Sequence, residues 1–337
     1  MAIMELINDA LRFKDTMFFK ESSDLQDRYD ALSKLNSEYP NNDILKNEMY
    51  CIKNGLDGEK EIAYQLKKAN VGMYVLHDVK IKYKDLTAQI DYIIITPVFT
   101  YYIECKNLVG NIIVNDKGDF IRDYIINGKK VRNGMYSPLR QVEAQREVIR
   151  KIWEDRTSSL KKILASRKFN YYRRVLVVAA NQETILNTCK APKDIKNKVI
   201  RADALVRQIQ YDYEHRDKND YVDNKNGMEK LAQSYINLIS GDNIDYYEYY
   251  KEKYCKNLCK IDNETLKEKL IQFRKDRSSE MKIPAYYVLT NDELDKIVEL
   301  RPKTLEELKN LNILTPVKIK THGEKIIEVI KFWLNLK

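Results

Sequence analysis

Cysteine, histidine, glycine and proline are all scarce in this chain of 337 residues. With 10 Gly and 7 Pro, it has no collagen-like tract and no long low-complexity linker. The 5 Cys are odd in number and scattered, at Cys51, Cys105, Cys189, Cys255 and Cys259. Cys255 and Cys259 are close in sequence, but no His or further Cys stands near enough to complete a zinc site. The cysteines are expected to be free thiols of a reducing cytoplasm. The 3 His (His77, His215 and His322) are too far apart for chemistries that need paired histidines at fixed spacing. No run approaches the roughly 18 apolar residues of a membrane span. Glu5 and Asp9 interrupt the apolar stretch that a signal peptide needs. A cytoplasmic protein with no membrane partner is therefore expected. A G-x-x-x-x-G-K-S/T phosphate loop is also missing, so any unwinding falls to a helicase or another protein partner.

What the chain does have is positive charge. Lys and Arg outnumber Asp and Glu by 59 to 50, a formal net charge of +9. Lys and Arg displace the counterions condensed on a phosphate backbone, so a basic balance favours a polyanionic partner. The hydrophobic share of 44% is enough for a packed interior.

Periodicity divides the chain into four parts. Residues 1–54 read as a helical arm. Leu25, Tyr29, Leu32 and Leu35 recur at helical spacing from about residue 18, Tyr39-Pro40-Asn41-Asn42 breaks the pattern, and Leu45, Met49 and Ile52 resume it. Residues 55–228 read as an α/β core with a mixed sheet flanked by helices. A helix over 56–69 carries the stripe Ile62, Ala63 and Leu66. Strands follow at Met73–Leu76, Ile90–Thr96, Phe99–Cys105, Asn111–Val114, Arg174–Ala179 and Val199–Arg201. Between them a helix over 138–153 has Ser137 as its N-cap and Pro138 at its first position. The polar stretch 218–228 reads as a loop. Residues 229–262 read as a helical connector, and 263–337 as an all-α domain with capping-box spacing at Thr290/Glu293 and Thr304/Glu307.

The chemistry concentrates in two strands. Asp91 interrupts Ile90-Asp91-Tyr92-Ile93, and Glu104 and Lys106 share one face of Ile103-Glu104-Cys105-Lys106. A hairpin turn at Pro97-Val98 sets Asp91 directly opposite Glu104, with Cβ atoms about 5 Å apart. Two carboxylates that close repel unless a cation or a raised pKa relieves them. Oxygen ligands suit Mg²⁺ or Mn²⁺, and Lys106 then stands beside the attacking water. Glu59 lies on the core-facing stripe of its helix, while Glu61 shares a face with Gln65 and Lys68. Gln141 and Gln145 share a helix face that suits a phosphate or a metal-bound water.

These residues resemble a known family. Gly55-x-x-Gly58-Glu59-x-x-x-Ala63-x-x-Leu66, Gln89-Ile90-Asp91-Tyr92-Ile93, Ile103-Glu104-Cys105-Lys106-Asn107-x-x-Gly110 and Ser137-Pro138-Leu139-x-Gln141 look like the blocks of a nuclease-related (NERD) domain, in the family's order. The resemblance implies a restriction-endonuclease-like fold with a PD-(D/E)XK site. Asp91, Glu104 and Glu59 would bind the metal, and Lys106 and Gln141 would complete the catalytic set. Residues 266–330 are similar to an HRDC domain. The matching residues are Leu270, Phe273, Arg274, Ile283-Pro284-Ala285-Tyr286, Leu294, Ile297, Arg301-Pro302-x-Thr304-Leu305-x-x-Leu308 and Gly323. The loop that is usually Gly-rich in that family reads Asn310-Leu311-Asn312-Ile313-Leu314-Thr315 here, leaving Lys318, Lys320 and Lys325 for electrostatic contact. The expected function is phosphodiester hydrolysis on nucleic acid, DNA before RNA, in processing, repair or defence. A nucleic-acid-binding scaffold without turnover and a protein-interaction module are the two other readings that remain open.

Overall fold

The computed structural model describes residues 15–39, 42–126, 128–157, 168–241 and 244–335. They divide into two compact units. One holds the described residues up to Tyr29 together with Met49–Asn243, and the other holds Asp30–Glu48 and Ile244–Lys337.

In chain order the strands are β1 (Thr16–Lys20), β2 (Met73–Tyr83), β3 (Leu86–Ile95), β4 (Thr100–Lys106), β5 (Asn111–Val114), β6 (Phe120–Ile126), β7 (Lys129–Met135), β8 (Arg173–Ala179), β9 (Leu186–Asn187) and β10 (Val199–Arg201). The longer helices are α1 (Asp24–Glu38), α2 (Asp43–Lys67), α3 (Pro138–Arg156), α4 (Leu205–Glu214), α5 (Lys225–Ile236), α6 (Tyr246–Met281), α7 (Asn291–Leu300), α8 (Leu305–Asn310) and α9 (Pro316–Asn335).

The first unit is built on a mixed sheet in the order β1-β2-β3-β4-β8-β10, beside a smaller sheet in the order β7-β6-β5-β9. Continuous apolar runs in β3, β4 and β8 predict strands covered on both faces. Tyr74, Leu76, Ile93, Ile95 and Tyr102 pack beneath Leu139, Val142 and Ile149 of α3. Met73, Val75, Tyr92, Ile94, Tyr101 and Ile103 pack on the other face, against Ile62 and Leu66 of α2 and Leu205 and Ile209 of α4. Each fully buried side chain of this size contributes about 1.5–3 kcal/mol. The α/β class expected from the sequence is therefore the class observed.

Two local expectations change, and one segment without an assigned element folds as strands. Phe18 and Phe19 belong to β1, which pairs in parallel with β2, so the helical hairpin begins only at Asp24. Phe120–Ile126 and Lys129–Met135, to which the sequence pattern assigns no element, form the antiparallel pair β6–β7. The helical stretch after 228 is two helices: α5 starts earlier, at Lys225 with Asn224 as its N-cap, and buries Met228, Ala232 and Tyr235 in the core. A second helix then starts at Tyr246, where the Asp245 carboxylate accepts the Tyr247 and Glu248 amides.

In the second unit, Leu266, Leu270, Leu294, Ile297, Leu308, Ile326, Ile330 and Trp333 form the core of a helical domain. Thr290 and Glu293 close a full capping box. Thr304 caps the Glu307 amide, while the Glu307 carboxylate turns to the Lys303 amide. Leu314 is 5% exposed, so the loop at 310–315 inserts an apolar plug into this core. Cys51, Cys105 and Cys189 are free thiols, and the side chains of Cys255 and Cys259 lie outside the described set. Among the described residues no helix is long and apolar enough to cross a membrane.

His322 is buried in this second unit, and its Nδ1 has no partner. Burial, then Arg277, Lys318 and Lys325, pushes its pKa below the ordinary 6.5. Below that pH the unfolded imidazole takes up a proton that the folded one refuses, so stability falls with acidification. Thermal unfolding of the second unit should shift down as the pH drops below about 6.5 towards the lowered folded value. In His322→Leu that pH dependence should flatten.

Candidate active site

The site begins with a defect shared by two strands. The β2–β3 ladder runs from Tyr74↔Ile95 to His77↔Tyr92 and resumes at Val79↔Ile90, skipping Asp78 and Asp91. Asp78 takes φ = 50°, a left-handed conformation that Asp tolerates better than most residues. On the other side of β3, the β3–β4 ladder has the register expected from the Pro97-Val98 turn, with Tyr92↔Ile103 as its last pair. One step further on, Asp91 Oδ2 accepts the Cys105 amide at 2.7 Å in place of a main-chain carbonyl. A side chain has taken over one rung of the ladder, and this fixes where the acid stands.

On the α3 face, Glu104 is 2% exposed. Its Oε1 accepts from Lys106 Nζ, while its Oε2 is buried with no partner. Lys106 Nζ also donates to Gln141 Oε1 at 3.4 Å. Gln141 is placed by the N-terminus of α3, where Ser137 Oγ accepts the Arg140 amide and Pro138 opens the helix as expected. One turn on, Gln145 Oε1 is likewise buried without a partner. Buried oxygen acceptors left unpaired cost about 1–3 kcal/mol each, and two of them line this one site.

The electrostatics follow from burial. Asp91 is pushed well above the ordinary carboxylate range, first by burial and then by the charge of Glu104. The Cys105 amide works against this, Glu59 adds to it, and Lys106 opposes it. Glu104 is raised by burial, with Lys106 and the two glutamine amides pulling the other way. Burial also pushes the Cys105 thiol up.

Glu59 is on the core-facing side of α2, as its spacing predicts, and is 6% exposed. It stands on the opposite face of the sheet, however, and its carboxylate is already engaged. Glu59 Oε2 accepts from Ser23 Oγ at 2.8 Å and contacts His77 Nε2 at 2.7 Å. His77 Nδ1 lies 3.1 Å from the Glu21 carbonyl, which can only accept, so Nδ1 carries a hydrogen. The His77 ring stacks on Tyr92 at 4.4 Å, and the Tyr92 hydroxyl donates to the Glu59 carbonyl. Gly58 allows α2 to approach this closely, since a Cβ there would fall 2.5 Å from Asn107 Cβ.

The sequence pattern thus brings Asp91, Glu104, Lys106 and Gln141 together and sets Glu59 beside them in a separate pair. His77 and Ser23 were not foreseen. The only signal for them was the polar pair His77-Asp78 interrupting an apolar strand. Among the described residues, no group of three or more His, Cys, Asp or Glu is arranged to hold a metal ion. The unpaired oxygens of Glu104 and Gln145, next to Asp91, are the donor type a hard divalent cation takes. Of the basic residues in the helical unit, Lys318 is tied to Glu293 at 2.6 Å and to the Tyr286 carbonyl, whereas Lys320 and Lys325 are exposed.

Residues 54–179 match the model of the nuclease-related domain family (NERD). Residues 263–330 match the model of the HRDC domain. The chain therefore joins a nuclease-related domain to an HRDC domain, a pairing that points to nucleic acid as the partner. No curated protein and no solved structure matches it.

A carboxyl whose folded pKa is raised is destabilising when ionised, and the effect grows as pH rises through the folded value. Asp91→Asn keeps an acceptor for the Cys105 amide and removes the charge. Without divalent metal at neutral pH, it should raise the melting temperature by a few degrees, the shift that about 1 kcal/mol gives in a unit of this size. Differential scanning calorimetry in EDTA would measure it, and a lower melting temperature would contradict this account of the site.

Proposed function

We propose that the first unit is a metal-dependent nuclease of the PD-(D/E)XK type, hydrolysing phosphodiester bonds in DNA, with the HRDC domain adding affinity for the strand. The observation that carries this reading is the buried, unpartnered Glu104 Oε2 beside Asp91, with Lys106 held on the other Glu104 oxygen. Asp91 and Glu104 would hold Mg²⁺ or Mn²⁺. Bound there, the ion would lower the pKa of a water and polarise the scissile phosphate. Lys106 is an ammonium with only donors to offer. Anchored by Glu104 and Gln141 and partly exposed, it orients the attacking water or a non-bridging phosphate oxygen. Gln141 holds Lys106 in that position. Glu59, bound to His77 and Ser23, sets the charge behind Asp91 and keeps α2 against the sheet.

A second reading rests on that engagement of Glu59. With two acids left for a cation instead of three, a nucleic-acid-binding scaffold without turnover remains the rival.

The test is cleavage of plasmid and oligonucleotides in Mg²⁺ or Mn²⁺. Wild type should cleave, and Asp91→Asn and Lys106→Gln should each slow cleavage by about 100-fold or more while leaving DNA binding within a few-fold. A wild-type protein that binds nucleic acid in a salt-dependent way but cleaves no DNA or RNA substrate would replace the nuclease with the scaffold.

A further inference from the structure

The β6–β7 ribbon takes no part in the chemistry above, yet it is tied to the catalytic segments at both ends. At one end, Arg122 Nε donates to the Val109 carbonyl at 2.9 Å. A Cβ on Gly110 would fall 2.5 Å from Tyr124 Cβ, so the turn after Lys106 lies directly against β6. Val109 is three residues past Lys106, within about 11 Å of chain. At the other end, β7 stops at Met135 and α3 starts at Pro138, so the ribbon leads into the turn that places Gln141.

The composition of the ribbon is one-sided. Phe120–Met135 has four basic residues, Arg122, Lys129, Lys130 and Arg132, against one acid, Asp123. Asp123 is already bound, at 2.8 Å by Arg132 and 3.4 Å by Lys130. Lys129, Lys130, Arg132, Tyr136 and Arg140 are exposed in succession along β7 and into α3. A side chain of Ile125 that is 70% exposed sits near the tip. β7 is the edge strand of its sheet. Lysines on such an edge discourage the addition of another protein strand, so the edge is guarded against pairing while its charge suits a polyanion.

We propose that the β6–β7 ribbon is the duplex grip of the nuclease-related domain, lying in the groove of double-stranded DNA and setting the scissile phosphate over Lys106. This rests on the nuclease reading for its purpose but not for its test. A two-stranded ribbon is an element that the major groove of B-form DNA, about 12 Å wide, accommodates. Lys129, Lys130 and Arg140 face the phosphates, and Tyr136 covers the strand leading to the active site.

The test is binding of full-length Asp91→Asn protein to a labelled duplex of about 30 base pairs, roughly three helical turns, by fluorescence anisotropy without divalent metal. Adding Lys129→Gln, Lys130→Gln and Arg140→Gln together should weaken duplex binding at least tenfold. It should also reduce the slope of log K against log salt by about 2 to 3, roughly 0.9 for each phosphate that is no longer neutralised. A second variant, Lys129→Glu with Arg140→Glu, leaves the Asp123 pairs intact and should give a comparable loss with an unchanged melting temperature. Duplex affinity within twofold of the parent in both variants overturns the proposal. So does an equal loss for single-stranded DNA of the same sequence, which would make the ribbon a general charge patch. Because no cleavage is read, a wild-type enzyme that never cuts DNA would sink the nuclease and leave the ribbon's role standing.

Discussion

A carboxylate that takes over a rung of the sheet holds the centre of this molecule in place. A β-ladder normally satisfies each main-chain amide with a main-chain carbonyl. At Asp91 that pattern lapses on both sides of β3, and the acid itself accepts the Cys105 amide. The neighbouring gap is closed from elsewhere. Lys20 Nζ donates to the carbonyls of His77 and Asp78 at 2.8 and 2.9 Å, and the Asp78 carboxylate accepts the first amide of α1. Moving Asp91 would orphan a half-buried amide, so its position is set by hydrogen bonding as well as by packing.

The charges around it are arranged in two layers. On the α3 face, one ammonium serves Glu104, and the Cys105 amide supports Asp91 against the cost of its burial. On the α2 face, Glu59 is matched by the imidazole of His77. Buried ion pairs rarely offset their desolvation through stability alone. The Glu104–Lys106 pair on one face of the sheet and the Glu59–His77 pair on the other, with Asp91 beside them, make sense as a device for holding polar groups where water is excluded. The two oxygens that lack partners, Glu104 Oε2 and Gln145 Oε1, belong to this α3-side layer.

The sequence revealed the parts of this arrangement that follow strand geometry. The register between β3 and β4 could be read because Ile93, Ile94, Tyr101 and Tyr102 are unbroken apolar strand and Pro97 marks the turn. Glu59 was placed correctly on its helix face, since periodicity reports the face. Its partner could not be read, because His77 and Ser23 reach it through tertiary contacts at separations of 18 and 36 residues. β1 was hidden because a five-residue strand with Phe18 and Phe19 side by side has neither period. The β6–β7 ribbon was hidden because Lys129–Met135 is almost wholly exposed, so no apolar alternation marks it. The break between α5 and α6 was masked by tyrosines and lysines that suit a helix on either side.

The short path from Lys20 to Asp24 has a bearing on where this domain starts. It lies ahead of the matched segment 54–179, yet it supplies Ser23 to Glu59, a carbonyl to His77 and an ammonium to the break in β2. A fragment trimmed to the family boundary would expose one flank of β2, leave the imidazole with one acceptor fewer and loosen the helix that carries Glu59. The matched module and the packed module are therefore different lengths of chain, and the smaller one borrows part of the wall of its candidate site from outside itself.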